Sequence, residues 1–153
     1  MDIALYLGIA GVVVLIAANG LFVATEFAYV AVRRTRIEQL AENGHTRARL
    51  LLTALKQLDK YIASTQLGIT MSSLALGWIG EPVIAGLLES PLKNLFGSGV
   101  GEAVSHTIAI AVAFIIVTGL LIVFGELAPK RIALQKSESI ALCTATAGST
   151  LFW

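Results

Sequence analysis

The sequence predicts an all-α membrane protein built on three transmembrane helices, one of them broken, with amphipathic helices between and after them. Three observations predict this. Hydrophobic residues make up 56% of the 153 and charged residues only 14%, against about 45–50% and about 25% in soluble domains. Three uncharged stretches are long enough to cross a bilayer, and ten of the eleven Lys and Arg residues lie where a single side of that bilayer would be. The same composition excludes intrinsic disorder, and a net charge of +1 argues against a nucleic-acid partner. Cys143 is the lone cysteine, which excludes an intramolecular disulfide and a multi-cysteine zinc site.

The first span, about 3–30, has no charge between Asp2 and Glu26, or about 34 Å of helix. No cation precedes it, and its apolar run exceeds the ~7–15 residues of a signal peptide, so it is expected to be retained. The region 33–60 reads as a helical loop. Arg33 to Glu42 has helical character, Asn43-Gly44 is a helix stop, and Thr46 can cap a second helix to about Leu58. Leu50, Leu51, Leu55 and Leu58 form an apolar stripe beside basic residues, as in an amphipathic linker lying on anionic headgroups. The second span, about 61–85, is rich in Gly, Ser and Thr and reads as the broken helix. The connection 86–105 carries Ser90-Pro91 and Gly97-Ser98-Gly99-Val100-Gly101, two turn signals. The third span, about 104–127, has the most apolar core, Ile108 to Phe124. A last apolar segment, 139–153, is too short as it stands to decide between a crossing and a juxtamembrane helix. The chain stops inside it, so a longer protein is expected.

Orientation follows the cations. Arg33, Arg34, Arg36, Arg47, Arg49, Lys56 and Lys60 lie between spans one and two, and Lys130, Arg131 and Lys136 follow span three. Only Lys93 falls in the opposite loop. The N-terminus is therefore expected outside and the 33–60 loop in the cytoplasm.

Ionisable side chains at membrane depth cost about 2.5–3.5 kcal/mol on insertion scales and count as candidate sites by default. Glu26 and Glu126 qualify, although each can also be read as an interfacial residue paired with a nearby cation. Around Glu126 the sequence is Phe124-Gly125-Glu126-Leu127-Ala128-Pro129-Lys130. Pro129 has no N–H, so the Gly125 carbonyl four residues back loses its helical donor. A freed carbonyl beside a carboxylate suits a hard cation such as Mg2+, which takes oxygen ligands. In span two, Gly68 can thin the helix while Thr70 and Ser73 turn oxygens toward Glu126. Close helix packing on small residues accounts for the same composition, including Gly77 and Gly80. In span one, Thr25 stands nearest the level of Glu26, whereas Asn19, six residues away, is on another face and is at most an accessory, as is Glu26. His45 and His106 enter no Ser-His pair or His-x-x-x-His pattern, so no enzyme is expected.

Phe124 to Lys130 resembles the Phe-Gly-Glu-x-x-Pro-Lys signature that closes the third helix of the CNNM/CorC magnesium transporter transmembrane domain. Ala24-Thr25-Glu26-Phe27-Ala28 followed by Arg33 is similar to the first-helix motif of bacterial members. Ser64-Thr65-Gln66-Leu67-Gly68-Ile69-Thr70 through Gly77-Trp78-Ile79-Gly80-Glu81-Pro82 looks like the hemolysin-related, magnesium-efflux branch. The resemblance covers nearly the whole chain. It implies a homodimer with three transmembrane helices per subunit in the bacterial plasma membrane, an N-terminus outside, and a belt-like juxtamembrane helix over 139–153 ahead of cytoplasmic CBS-type domains. It also implies a Mg2+ ion held by a first-helix Ser, a second-helix Asn and the third-helix Glu, helped by backbone carbonyls. Glu126 matches the Glu. Val23 stands in the Ser position, leaving Thr25 as the nearest hydroxyl, and Ile69 and Ser73 stand in the two Asn positions. The expected metal set is therefore Glu126, Gly125, Thr25, Gly68, Thr70 and Ser73.

The expected function is a secondary transporter exporting Mg2+, driven by a Na+ or a proton gradient, and the resemblance implies Na+ exchange in some relatives. A Mg2+-binding sensor or dimerisation anchor that moves no ion would use the same site. Membrane lipid, a second copy of the chain and downstream cytoplasmic domains are the expected partners, with no nucleic acid.

Overall fold

The computed structural model describes residues 3–96 and 102–151, and among these every regular element is helical. Helix α1 is Ile3–Ala31, α2 Arg34–Glu42, α3 Thr46–Leu55, α4 Leu58–Phe96, α5 Glu102–Leu120, α6 Ala128–Gln135 and α7 Ser137–Leu151, with a π-helical segment, Leu121–Leu127, joining α5 to α6. Among the described residues three helical stretches are long and apolar enough to cross a membrane: Ile3–Ala31, Leu58–Leu92 and Val104–Gln135. Their outward faces carry large apolar side chains such as Val13, Leu74, Phe114 and Ile115, with Trp78 88% exposed. Lipid tails solvate such faces, so they are not the liability they would be in water.

The departure from regular α-helix lies elsewhere than the sequence suggested. The expected break at Gly68 is absent, and α4 runs through it unbroken. A Cβ at Gly68 would stand 2.8 Å from the Phe22 ring carbons, so the glycine makes room for an aromatic ring on α1. Ser90-Pro91 is likewise no turn, because Pro82 and Pro91 both lie inside α4. Each proline removes one backbone donor, a loss that membrane helices tolerate by local readjustment. The Gly97–Gly101 part of the expected connection lies outside the described residues. The irregular segment is instead in span three, where the Ala128 N–H reaches back five residues to the Val123 carbonyl, the wider π register.

The polar end of the bundle is a packed layer. Ile37, Ala41, Ala48, Leu51 and Ala54 of α2 and α3 join Ala28 and Tyr29 of α1, Ala133 of α6 and Ala141 and Ala145 of α7 in one buried cluster. The leucine stripe thus packs on protein, with Leu51 fully buried and only Leu50 at the surface, where headgroup contact had been expected of all four. The stop at Asn43-Gly44 is a Schellman turn. Gly44 has φ +88°, its N–H bonds the Ala41 carbonyl, and the His45 N–H bonds that of Leu40. Thr46 does not cap α3, since the N-cap position is His45 and no side chain closes it. The segment from Ser137, with 15 residues, packs against α1 and α3. A second, smaller cluster of Val12, Leu76 and Val117 ties the three long helices together.

Candidate functional site

A buried hydrogen-bond network crosses the three long helices. The Asn19 side chain, 2% exposed, donates from Nδ2 to the Gly125 carbonyl at 3.0 Å. Its Oδ1 accepts from the Ser72 hydroxyl at 2.8 Å, and Ser72 Oγ also lies 2.7 Å from the Gly68 carbonyl. Each link has a cause in the sequence. Pro129 deprives the Gly125 carbonyl of its α-helical donor, and a buried carbonyl left unpaired costs about 1–3 kcal/mol. An amide carried in from the neighbouring helix supplies the missing N–H.

Glycine lets the helices come close enough for this. A Cβ at Gly125 would meet Leu121 Cδ1 at 2.8 Å and Asn19 Nδ2 at 3.1 Å, and one at Gly20 would meet Pro129 Cγ at 2.9 Å and the Phe124 carbonyl at 3.3 Å. Asn19-Gly20 on α1 and Gly125 with Pro129 on span three therefore fit as a reciprocal pair. Each glycine admits the functional group beside the other.

The contact also fixes depth. Asn19 is seven residues before Glu26, about 10 Å of helix, and lies within the uncharged part of α1. Bonding Gly125 to Asn19 draws the Gly125-Glu126 peptide to that level, deeper than its place in the sequence of span three suggests. Glu126 is exposed on the outside of the three-helix unit. A carboxylate facing hydrocarbon there would cost about 2.5–3.5 kcal/mol on insertion scales, which makes this exposed face a candidate site.

The remaining candidate residues are placed as follows. The Thr25 hydroxyl donates to the Leu21 carbonyl at 2.8 Å, Thr70 to Gln66 at 2.9 Å and Ser73 to Thr70 at 3.0 Å, so all three turn back on their own helices. The π segment packs chiefly against α1. Gly68 offers its carbonyl to Ser72. Glu26, half-buried, has the Gln66 amide and the Lys130 ammonium beside it, and Lys130 Nζ sits 4.3 Å from the centre of the Phe27 ring. Among the described residues no group of three or more His, Cys, Asp or Glu is gathered as a metal site. Thr70 and Ser73 do not turn their oxygens toward Glu126 as the sequence suggested, because each hydroxyl is spent on its own helix, and the Gly125 carbonyl next to Glu126 in the chain is engaged by Asn19.

Asn19 and Ser72 carry more of this arrangement than the sequence reading allowed. The missed signal was available: an isolated amide in an otherwise apolar span, and a proline that frees one carbonyl in another span, are a donor and an acceptor each lacking a partner.

The sequence profile of the family described as the cyclin M transmembrane N-terminal domain matches residues 10–153. Among curated proteins, the chain is similar to UPF0053 protein YhdT of Bacillus subtilis, 46% identical over 132 residues, covering 86% of this chain and 28% of the relative. It is similar to YugS of the same organism, 44% identical over 138 residues, 90% of this chain and 32% of the relative. A UPF0053 protein of Synechocystis is 37% identical over 136 residues, 88% and 29%. The chain spans about a third of the length of these relatives or somewhat less.

Proposed function

Since the chain belongs to the cyclin M transmembrane family, a multi-pass membrane domain, we propose that it carries Mg2+ across the bacterial plasma membrane, outward, with Glu126 as the anionic ligand. The observation that carries this reading is the Asn19–Gly125 hydrogen bond, which holds an exposed carboxylate at a level where lipid would not tolerate it. Mg2+ keeps several waters when it binds, so one carboxylate next to the Gly125 carbonyl is enough for a waypoint.

In this reading the N-terminus is outside and the basic layer of α2 and α3 faces the cytoplasm. The exposed face of Glu126 is met by a second copy of the chain, and the ion passes where the two meet. The π segment is the element that changes: π turns recur at functional sites, and a shift there moves Glu126 relative to Asn19. Alternating access then needs no large hinge. The driving force is an opposing Na+ gradient. The CBS-type domains expected downstream regulate the cycle.

The test is Mg2+ movement in proteoliposomes of the protein, with and without an opposing Na+ gradient. Flux that rises with the gradient supports the transporter and its coupling. Saturable Mg2+ binding with no flux under either condition replaces it with a sensor built on the same site.

A further inference from the structure

An open cleft of about 910 Å³ lies where α1 and α6 end and α2 and α7 begin. That volume is at the upper end of ligand-sized cavities. Three cations line it, Arg33, Arg36 and Lys136, with Glu138 as the lone carboxylate. Glu138 stands 3.6 Å from Arg36, a half-exposed contact that holds Arg36 in place but binds weakly. Arg33 and Lys136 form no ion pair among the described residues. The first turn of α2 opens on the same space, and its N-cap residue, Arg33, supplies no side-chain cap, so the positive end of that helix adds to the field.

The cleft also has apolar lining from Ala31, Val32 and Leu134, at and just beside the ends of two stretches able to span a membrane, Ile3–Ala31 and Val104–Gln135. A cleft at the ends of two such stretches is at the level where phospholipid phosphates would stand if those stretches span the bilayer. Arginine and lysine against a single, already engaged carboxylate select an anion, and the guanidinium fork matches phosphate oxygens.

We propose that this cleft is a binding site for a phosphate-bearing anion, a chemistry that either an anionic phospholipid headgroup or a soluble phosphate can supply. Arg33 and Lys136 contact the phosphate directly, and Arg36 is oriented by Glu138. The proposed topology contributes only that this end faces the cytoplasm, and the site stands whether or not the protein moves Mg2+.

The test is native mass spectrometry of the protein in zwitterionic micelles, titrated with phosphatidylglycerol and, separately, with inorganic phosphate. Micelles without net charge remove the general attraction of a charged membrane surface. The proposal expects one retained phosphatidylglycerol or one phosphate per chain. The R33Q/K136Q variant should weaken it about thirtyfold, from roughly fivefold per cation lost at a membrane surface. Both residues are exposed, and R33K should restore most of the binding, which separates loss of charge from loss of structure. The control R47Q/K56Q removes two exposed cations outside the cleft and should leave binding unchanged. Retention of phosphatidylglycerol alone identifies the lipid as the source, and retention of phosphate alone identifies a soluble ligand. Equal weakening in the cleft and control variants, or no retained species of either kind, overturns the proposal.

Discussion

Replacing Asn19 with alanine separates the buried network from simple packing. The Gly125 carbonyl would lose its 3.0 Å donor, and Pro129 cannot replace it. Ser72 would lose one partner but keep the Gly68 carbonyl at 2.7 Å and that of Ile69 at 3.1 Å, so Gly125 is the group left unsatisfied. A buried group in that state costs about 1–3 kcal/mol, while hydrogen bonds between membrane helices measured by mutation average about 0.6 and reach about 1.7 kcal/mol. Asn19→Ala should therefore destabilise the protein by about 1–2 kcal/mol, and Ser72→Ala by less. Pro129→Ala supplies the decisive background, because residue 129 regains the N–H that a regular α-helical turn would deliver to the Gly125 carbonyl. In that background Asn19→Ala should cost about 1 kcal/mol less, a coupling measurable by a double-mutant cycle of unfolding in mixed micelles. If the two substitutions add to within about 0.3 kcal/mol, the amide is not standing in for the missing proline N–H, and the explanation of this contact fails.

Gly20→Val should destabilise by about 1–3 kcal/mol, since its Cβ would meet Pro129 at 2.9 Å and the Phe124 backbone oxygen at 3.3 Å, and denaturant midpoints would show it. Gly119→Ala, whose Cβ meets nothing within 4 Å, should be stabilising by about 0.5–1 kcal/mol in the same assay. Gly44→Ala forces a left-handed residue at φ +88° and should cost about 1–2 kcal/mol, seen as faster proteolysis between α2 and α3. Leu51→Ala empties a fully buried position in the α2–α3–α7 layer and should cost about 2–5 kcal/mol in thermal unfolding.

The sequence made the spans and the polar layer legible because their signals are local. Uncharged length marks the three crossings, and Asn43-Gly44 marks a left-handed turn that the structure places there. Pro129 likewise announced a freed carbonyl acceptor at Gly125 without any knowledge of the fold. What could not be read was the register between helices. Asn19 does stand on a different face from Thr25, but the face that matters is the one turned to span three, and no single sequence says which residue of another helix lies opposite. Gly68 was ambiguous for a related reason. A glycine in a span either loosens its own helix or admits a neighbour, and only the position of the Phe22 ring decides for the second. Pro91 read as a turn because a proline removes the same donor whether a helix ends there or continues past it.

The most direct test of the central claim is Mg2+ flux through proteoliposomes of the wild-type protein beside Glu126→Gln and Glu26→Gln, with folding of each checked by its melting temperature. Flux abolished in Glu126→Gln and largely retained in Glu26→Gln is the predicted result. Undiminished flux in a folded Glu126→Gln protein would contradict the assignment of Glu126 as the ligand on the ion's path.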